Sequence, residues 1–301
     1  MDVAILVEGQ EGLNWPRWQR MVAAVERLGF SGLFRSDHFV NPFPVEMDAL
    51  ELWVSLAWQA DHSKRIDMGP LVAPVSFRHP VEILSAAAAI QELSGGRLVL
   101  GLGAGWQERE HRMFGFDLLD VEGRFARLEE ALQILTLCLQ HEKRRAYRGR
   151  HFQVSPDEMP RFPHGLRILL GGNGPRRTLP KAALYADEWN AHWIPPWEFE
   201  RLNARLDDLV EGAGRPREAV RRSLLQAVVF GADERQLVAK LQRRGQPSDA
   251  MRAQGVLYGP PKGVAEQVDT YRKAGVERLI LEWRDLDDMD GLAALARVVV
   301  G

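Results

Sequence analysis

The stretch DMGPLVAPVSFRHPVEILSAAAAIQELSGGRLVLGLGAG, residues 67–105, has the pattern of a strand, a helix and a second strand. Two apolar runs of strand length, residues 67–75 and 97–105, flank the helical pattern PVEILSAAAAIQEL. Pro80 lies near the first turn of that helix, where its missing N–H breaks no hydrogen bond. The stretch therefore predicts one β–α–β unit with parallel strands.

The same alternation continues in both directions along the chain. Further apolar runs of strand length lie at residues 3–8, 32–39, 167–172, 188–193, 224–232 and 278–284. Eight strand–helix units in 301 residues predict an α/β fold, a (β/α)8 TIM barrel. No linker divides residues 1–301, so a single domain is expected. The long gaps at 106–166 and 233–277 predict insertions in loops at the strand C-termini.

The composition excludes several classes of protein. A formal net charge of −2 gives no general attraction to nucleic acid or an anionic membrane, and no apolar run reaches the length of a membrane-spanning helix. The single cysteine, Cys138, cannot form an internal disulfide, and the histidines lack the spacings of common zinc sites. No secretory signal pattern follows Met1, so the expected location is the cytoplasm, and no metal is expected.

Three glycines, Gly101, Gly103 and Gly105, alternate at the end of the predicted fourth strand. In a TIM barrel the loops after the strand C-termini form the active site, and small residues there let a ligand lie against the backbone. The G-x-G-x-G spacing, followed by Trp106, differs from the dinucleotide-binding fingerprint G-x-G-x-x-G. Two interpretations remain, a ligand-binding strand end or a glycine-rich strand end without a ligand.

A second glycine cluster, in ILLGGNGPRRTLPKAALYADEWN (168–190), lies between the fifth strand and its helix. The backbone N–H groups of Gly171, Gly172 and Gly174, with the dipole of a helix that begins near Arg177, favour an anion, most simply a phosphate. Further positive charge comes from Arg176, Arg177 and Lys181. The alternative is a tight turn with solvated arginines.

The segment LFRSDHF (33–39) places Asp37 and His38 at the end of the predicted second strand. A histidine beside a carboxylate is a candidate for proton transfer near neutral pH, although a lone histidine is more often structural. Pro70 and Pro74 bracket the end of the third strand and indicate unusual backbone geometry, with a simple kink as the alternative.

Other candidates lie near the predicted strand ends. Glu8 follows the first strand and is expected to line the site, whereas Trp193 forms either a substrate wall or part of the core. Residues 108–111, EREH, fit a solvated first helical turn; otherwise Glu108 or His111 faces the substrate. The candidate substrate contacts are therefore Glu8, Glu108 and Trp193.

Together, these motifs resemble the luciferase-like family of flavin- and deazaflavin-dependent oxidoreductases. The resemblance is carried by GFSGLFRSDHF (29–39), by residues 70–116, by the glycine cluster at 168–190 and by ERLILEWRDLDD (277–288). The branch that uses the deazaflavin coenzyme F420 is the more similar one, and other members use reduced FMN.

The resemblance implies a cofactor ring in the barrel mouth, supported by a non-prolyl cis peptide bond that by position falls at Pro70–Leu71. It implies that His38, preceded by Asp37, lies beside the ring and acts in catalysis. The implied cofactor-binding residues are Pro70, Leu71, Gly103, Ala104, Gly105, Trp106, Gly171, Gly172, Asn173, Gly174, Arg177 and Arg284. The basic run at 143–150 could attract an acidic cofactor tail, although a basic surface loop is the simpler interpretation.

The implied function is hydride transfer between coenzyme F420 and a small organic substrate. Relatives that oxidise a sugar phosphate carry an acid directly after the glycines, where this chain has Trp106, which argues against a sugar phosphate. The alternatives are a monooxygenase that uses reduced FMN and a cofactor-binding barrel without catalysis. A flavin or deazaflavin reductase is an expected partner, and the resemblance also implies a homodimer.

Overall fold

The structure, a computed structural model, describes residues 1–140, 146–155, 162–244, 249 and 253–301. The strands in this part of the chain are β1 (Asp2–Val7), β2 (Gly32–Arg35), β3 (Asp67–Pro70), β4 (Ala73–Pro74), β5 (Val99–Gly103), β6 (Tyr147–Arg148), β7 (Gln153–Val154), β8 (Arg167–Gly171), β9 (Glu188–His192), β10 (Arg221–Phe230), β11 (Leu257–Gly259) and β12 (Arg278–Glu282). The α-helices are α1 (Trp15–Leu28), α2 (Leu52–His62), α3 (Pro80–Leu93), α4 (Glu108–Phe114), α5 (Val121–Leu139), α6 (Thr178–Tyr185), α7 (Pro196–Gly212), α8 (Glu234–Arg244), α9 (Pro261–Lys273) and α10 (Met289–Val299).

The main sheet closes into a parallel barrel. Its strand order is β3, β2, β1, β12, β10, β9, β8, β5 and β4, and each neighbouring pair is parallel. Since β3 and β4 are consecutive segments of the chain, separated by two residues, the first and last strands of this order are neighbours and the sheet is closed. Met68 donates its N–H to the Arg97 carbonyl at 3.1 Å and forms a parallel bridge with Leu98, which closes the gap. The prediction of a TIM barrel is confirmed.

The helices cover the outside of the barrel through an apolar layer. Outward-facing strand residues and buried helix residues form one core cluster, which includes Trp18, Leu56, Ile83, Leu132 and Leu292. Local signals set the helix starts. At α3, His79 caps the helix just before Pro80, and Glu82 completes a capping box with it two residues after the proline. None of the described helices is long and apolar enough to cross a lipid bilayer.

Inward-facing residues fill the barrel in layers. The middle layer is apolar and is formed by Ala4, Leu6, Phe34, Leu71, Val99, Leu169 and Ile280. Below it, at the N-terminal end of the strands, the buried guanidinium of Arg278 lies 2.5 Å from Asp67 and 3.2 Å from Glu188. Burial alone would raise the pKa of Asp67, but its hydrogen bonds and ion pairs with Arg167 and Arg278 lower it. An ionic floor therefore closes one end, and the strand C-termini form the mouth at the other.

The two long insertions fold beside the barrel. The first contains α4, α5 and the antiparallel hairpin of β6 and β7. The second contains α8 and β11, and β11 pairs in parallel with the end of β10 through Val228 and Leu257. Lys143, Arg144 and Arg145 of the predicted basic run, and residues 245–248 and 250–252 of the second insertion, lie outside the described residues.

The cis peptide bond lies between Leu71 and Val72, so the predicted position at Pro70–Leu71 is wrong by one residue. The Leu71 N–H still donates to the Arg35 carbonyl at 2.8 Å. Pairing with β2 therefore continues through Leu71, and the chain leaves the regular strand only after it. The break separates β3 from β4 and forms a bulge at the barrel mouth.

The alternating glycines make room for this bulge. A Cβ atom on Gly101 would lie 2.2 Å from the Pro70 carbonyl oxygen, and one on Gly103 would lie 2.5 Å from the Val72 side chain. Gly171 of β8 contributes to the same space, because its Cβ would lie 3.0 Å from Val72. Close packing of backbone and side chain thus explains Gly101 and Gly103 without any ligand.

Replacement of Gly101 by alanine is expected to lower the free energy of unfolding by about 1–3 kcal/mol, because the new Cβ overpacks the bulge. Gly212→Ala is the matched control, since a Cβ at this helical position meets no atom within 4 Å. The control is expected to be neutral or to stabilise the protein by about 0.5 kcal/mol. Chemical denaturation measures both changes, and equal stability of the two variants would contradict the packing role of Gly101.

Candidate active site

The barrel mouth brings the predicted site residues to one end of the molecule. They follow or end six barrel segments: Glu8 after β1; Asp37 and His38 after β2; Pro70 and Leu71 at β3; Gly103, Ala104, Gly105 and Trp106 at β5; Gly171, Gly172, Asn173 and Gly174 at β8; and Trp193 after β9. Arg284 follows β12, Arg177 precedes α6, and Glu108 begins α4. This placement at the strand C-termini is where TIM barrels carry their active sites.

His38 is held by a buried carboxylate from another element. Its Nδ1 lies 2.8 Å from Glu110 Oε1, and the backbone N–H of Phe39 donates to Glu110 Oε2 at 3.0 Å. Glu110 is only 1% exposed. Burial by itself lowers the pKa of His38, but the hydrogen bond and charge of Glu110, with the charges of Glu8 and Asp37, outweigh burial and raise it. The pair therefore favours the protonated form of the ring.

The helix that supplies Glu110 is not the solvated turn that the sequence predicts. Glu110 and His111 are 1% and 2% exposed, whereas Glu108 lies exposed at the rim. His111 is used structurally: its ring nitrogens lie 2.7 Å from the Gln107 carbonyl and 2.8 Å from Ser76 Oγ. The expectation was wrong because α4 packs one face against the loops after β2 and β4.

Asp37 forms an ion pair with Arg78 and not a hydrogen bond with His38. Its carboxylate lies 2.5 Å from Arg78, with the two side chains 4% and 18% exposed. Burial raises the pKa of Asp37, and Arg78 offsets part of that effect. Consecutive residues of an extended segment point in opposite directions, so the neighbour of His38 in sequence is not its partner in space. Sequence reasoning missed both Glu110 and Arg78, which no local spacing connects to His38.

The glycine turn before α6 has the features of an anion site. Gly172 has a φ of +134°, and a Cβ on Gly172 or Gly174 would lie 3.0 Å from Thr178 Oγ1. The Gly172 N–H donates to the Asn190 carbonyl at 2.9 Å, so the prediction that this N–H binds an anion is wrong. The N–H groups of Thr178 and Leu179 both donate to the Gly174 carbonyl. The dipole of α6 remains at the turn, because Arg177 at the N-cap makes no side-chain cap. Arg176 and Arg177 are exposed beside the turn. The helix dipole and the two guanidinium groups are therefore the features of the turn that suit a phosphate.

Two neighbours of this turn have structural partners instead. The side-chain amide of Asn173 donates to the His192 carbonyl at 2.8 Å and accepts from the His192 N–H at 3.0 Å, which ties the turn to β9. Lys181 lies 2.7 Å from Glu129 and is directed to α5. Of the predicted positive groups, Arg176 and Arg177 are the ones that face solvent at the turn.

Arg284 forms ion pairs with carboxylates at the mouth. Its Nε donates to Glu282 and lies 3.7 Å from Glu11. Burial and the charge of Glu8 together raise the pKa of Glu282 to about 7, although Arg284 offsets part of the effect. Among the described residues, Glu282 Oε2 has no hydrogen-bond partner. Sequence reasoning missed Glu282, although its inward register above Arg278 and Ile280 was a signal.

Exposed indole rings flank the mouth. Trp106 is 58% exposed, and its ring meets the His38 ring edge-on at 5.6 Å. Trp193 is 43% exposed, whereas Trp189 is buried against Phe199 and donates to the Gly172 carbonyl. Trp106 and Trp193 are therefore exposed at the mouth, and Trp189 belongs to the core.

Glu282→Gln is expected to stabilise the protein at pH 8 and to leave it unchanged near pH 4. An acid whose pKa rises from 4.5 to about 7 on folding lowers stability as pH increases through that interval, because the unfolded chain ionises first. The difference between the two pKa values corresponds to a loss of about 3 kcal/mol in the free energy of unfolding. The free energy of unfolding is measured by denaturation at both pH values, for the wild type, for Glu282→Gln and for the exposed control Glu266→Gln. A parallel pH dependence in all three proteins would contradict the burial of an acid at position 282.

The amino-acid sequence matches the model of one protein family. The family model described as luciferase-like monooxygenase matches residues 3–246, from β1 beyond the end of α8. The chain belongs to the luciferase-like monooxygenase family. Within the curated relatives, an F420-dependent glucose-6-phosphate dehydrogenase of Microbacterium testaceum is 30% identical over 202 residues, which cover 65% of this chain and 58% of that protein. The chain spans about half the length of the curated relatives it matches.

Solved structures share the fold at low sequence identity. An F420-dependent secondary alcohol dehydrogenase, in complex with an F420–acetone adduct, superposes with a TM-score of 0.85 at 15% identity over 99% of both chains. The oxygenating component of 3,6-diketocamphane monooxygenase from Pseudomonas putida, in complex with FMN, superposes with a TM-score of 0.71 at 15% identity over 99% of this chain and 98% of that one. Proteins whose structures contain different cofactors, F420 in one and FMN in the other, thus share this fold.

Proposed function

We propose that this protein is a luciferase-like oxidoreductase that transfers a hydride between the deazaflavin coenzyme F420 and a small organic substrate. The observation that carries the proposal is the presence, at one end of the barrel, of both the His38–Glu110 pair and the glycine turn before α6. The pair suits proton exchange beside a reacting group, and the turn suits a phosphate. The family match and the relatives named as F420-dependent support the choice of cofactor.

Each part of the mouth has a role in this proposal. The turn from Gly172 to Gly174 holds the cofactor phosphate, with Arg177 beside it, and the bulge at Leu71–Val72 supports the ring. The bound deazaflavin supplies the hydride chemistry. His38 exchanges a proton with the substrate oxygen, and the exposed ring of Trp106 shields that exchange from water.

The proposed substrate is uncharged. Glu8 and Glu110 add negative charge to the mouth, and Arg284 is already paired with carboxylates. A phosphate ester near these groups is repelled, whereas an alcohol or a carbonyl compound is not. We further propose that residues 1–301 act as one barrel unit, that two copies form a homodimer, and that a separate reductase renews the cofactor.

The first test is a titration of the purified protein with F420 and, separately, with FMN, each oxidised and reduced. Micromolar binding of F420 with much weaker binding of FMN is expected. Stronger binding of FMN would reject the deazaflavin assignment in favour of the monooxygenase that uses reduced FMN. Binding of F420 without turnover of any alcohol or carbonyl compound would indicate a cofactor-binding barrel that lacks catalysis.

Arg177→Ala is expected to weaken cofactor binding about tenfold, because it removes positive charge beside the phosphate turn. The effect should shrink as salt increases, since the group is exposed. Arg205→Ala, which removes an exposed guanidinium from α7, is the matched control. Isothermal titration at two salt concentrations measures both variants. Equal affinities of the two variants for F420 would remove the turn from the proposed site.

A further inference from the structure

We propose that Glu110 is a positioning residue for His38: it holds the ring by Nδ1 and thereby assigns proton exchange with the substrate to Nε2. The functional part of this inference rests on the proposed oxidoreductase activity, and the geometric part does not. Glu110 reaches His38 from α4, so the pair joins two elements that are far apart in sequence.

Both oxygens of the Glu110 carboxylate are used by the same loop. One accepts from His38 and the other accepts from the Phe39 N–H at 3.0 Å, so the carboxylate cannot rotate without losing a partner. Two further side chains fasten α4 to this loop: Gln107 donates to the Val40 carbonyl at 2.7 Å, and Arg109 donates to the Asn41 carbonyl at 2.9 Å. The relative position of the carboxylate and the ring is therefore fixed on both sides.

An ionised carboxylate only accepts hydrogen bonds, so the ring must carry its hydrogen on Nδ1. A neutral ring then has its lone pair on Nε2, and a charged ring has its exchangeable proton there. In either state the O–H bond of a substrate forms or breaks at Nε2, as the N–H bond breaks or forms. A carboxylate that orients a histidine in this way is a recurring arrangement in proton-transferring enzymes.

The charges around the ring come from three elements. Glu110 lies on α4, Glu8 follows β1, and Asp37 follows β2 with its charge partly neutralised by Arg78. Trp106 covers one edge of the ring and contributes no charge. Of these groups Glu110 makes the direct hydrogen bond, so its loss is expected to change the ring more than any other single substitution.

The test uses ring-labelled [15N]histidine in the protein without cofactor, with long-range 1H–15N spectra recorded from pH 5 to pH 9. The signals of His38 are identified by their loss in His38→Gln. In the wild type the neutral ring is expected as the Nδ1–H tautomer, the opposite of a free histidine ring. In Glu110→Gln the pKa of His38 is expected to fall by about 1–2. A glutamine offers one acceptor, so it cannot serve His38 and Phe39 together.

The matched control is Glu108→Gln, which removes the same charge from an exposed position on the same helix and is expected to leave the tautomer and the pKa of His38 unchanged. An Nε2–H tautomer in the wild type, or an unchanged pKa in Glu110→Gln, would overturn the inference. The wild-type tautomer decides the question even where Glu110→Gln does not fold.

The functional part is tested in the loaded enzyme. The pH profile of kcat/KM is expected to shift in Glu110→Gln by the same amount as the pKa of the ring. An Nδ1–H tautomer in a protein that binds neither F420 nor FMN would reject the proposed function and leave the positioning role supported. A shifted ring pKa with an unshifted pH profile would overturn the role of Nε2 in proton exchange.

Discussion

The arrangement of the mouth depends on close packing between the Leu71–Val72 bulge and the glycines of β5 and β8. Where β5 ends, the φ of Gly105 is +81°, and a Cβ there would lie 2.8 Å from Ser76 Oγ. Ser76 in turn contacts His111 of α4, which is the helix that carries Glu110. The small residues therefore let the segment after β4 approach α4, and this packing places the carboxylate of Glu110 beside His38.

Both ends of the barrel hold buried charged groups. At the floor, Arg167 and Arg278 outweigh burial and lower the pKa of Asp67, whereas burial raises the pKa of Glu188. At the mouth, burial raises the pKa of Glu282, and Glu110 outweighs burial to raise that of His38. Shifted pKa values occur in structural ion-pair networks as well as in functional sites. The position of the mouth at the strand C-termini is therefore what favours it as the functional end.

The sequence predicts the fold well because its signals are local. Apolar runs of strand length mark the strands, and Pro80 marks the start of α3 before any tertiary contact is known. The position of the mouth follows from the fold, so residues at strand ends were found. The contacts between side chains within the mouth could not be predicted, because Glu110 reaches His38, and Arg78 reaches Asp37, from other elements of the chain. The cis bond was misplaced by one residue because strand pairing, which no sequence pattern reports, continues through Leu71.

The phosphate turn bears on the kind of cofactor that the barrel can accept. FMN ends in its phosphate, whereas in F420 the phosphate is a diester whose chain continues. A turn enclosed by protein would require the phosphate to be terminal. Here Gly172 and Gly174 are partly exposed, and the residues from Pro175 to Arg177 face solvent, so a chain can continue from the turn past two guanidinium groups. The exposure of the turn is thus compatible with the diester and acidic tail of the proposed cofactor, and the His38–Glu110 pair supplies the proton exchange that the proposed hydride transfer to or from a carbon–oxygen bond needs.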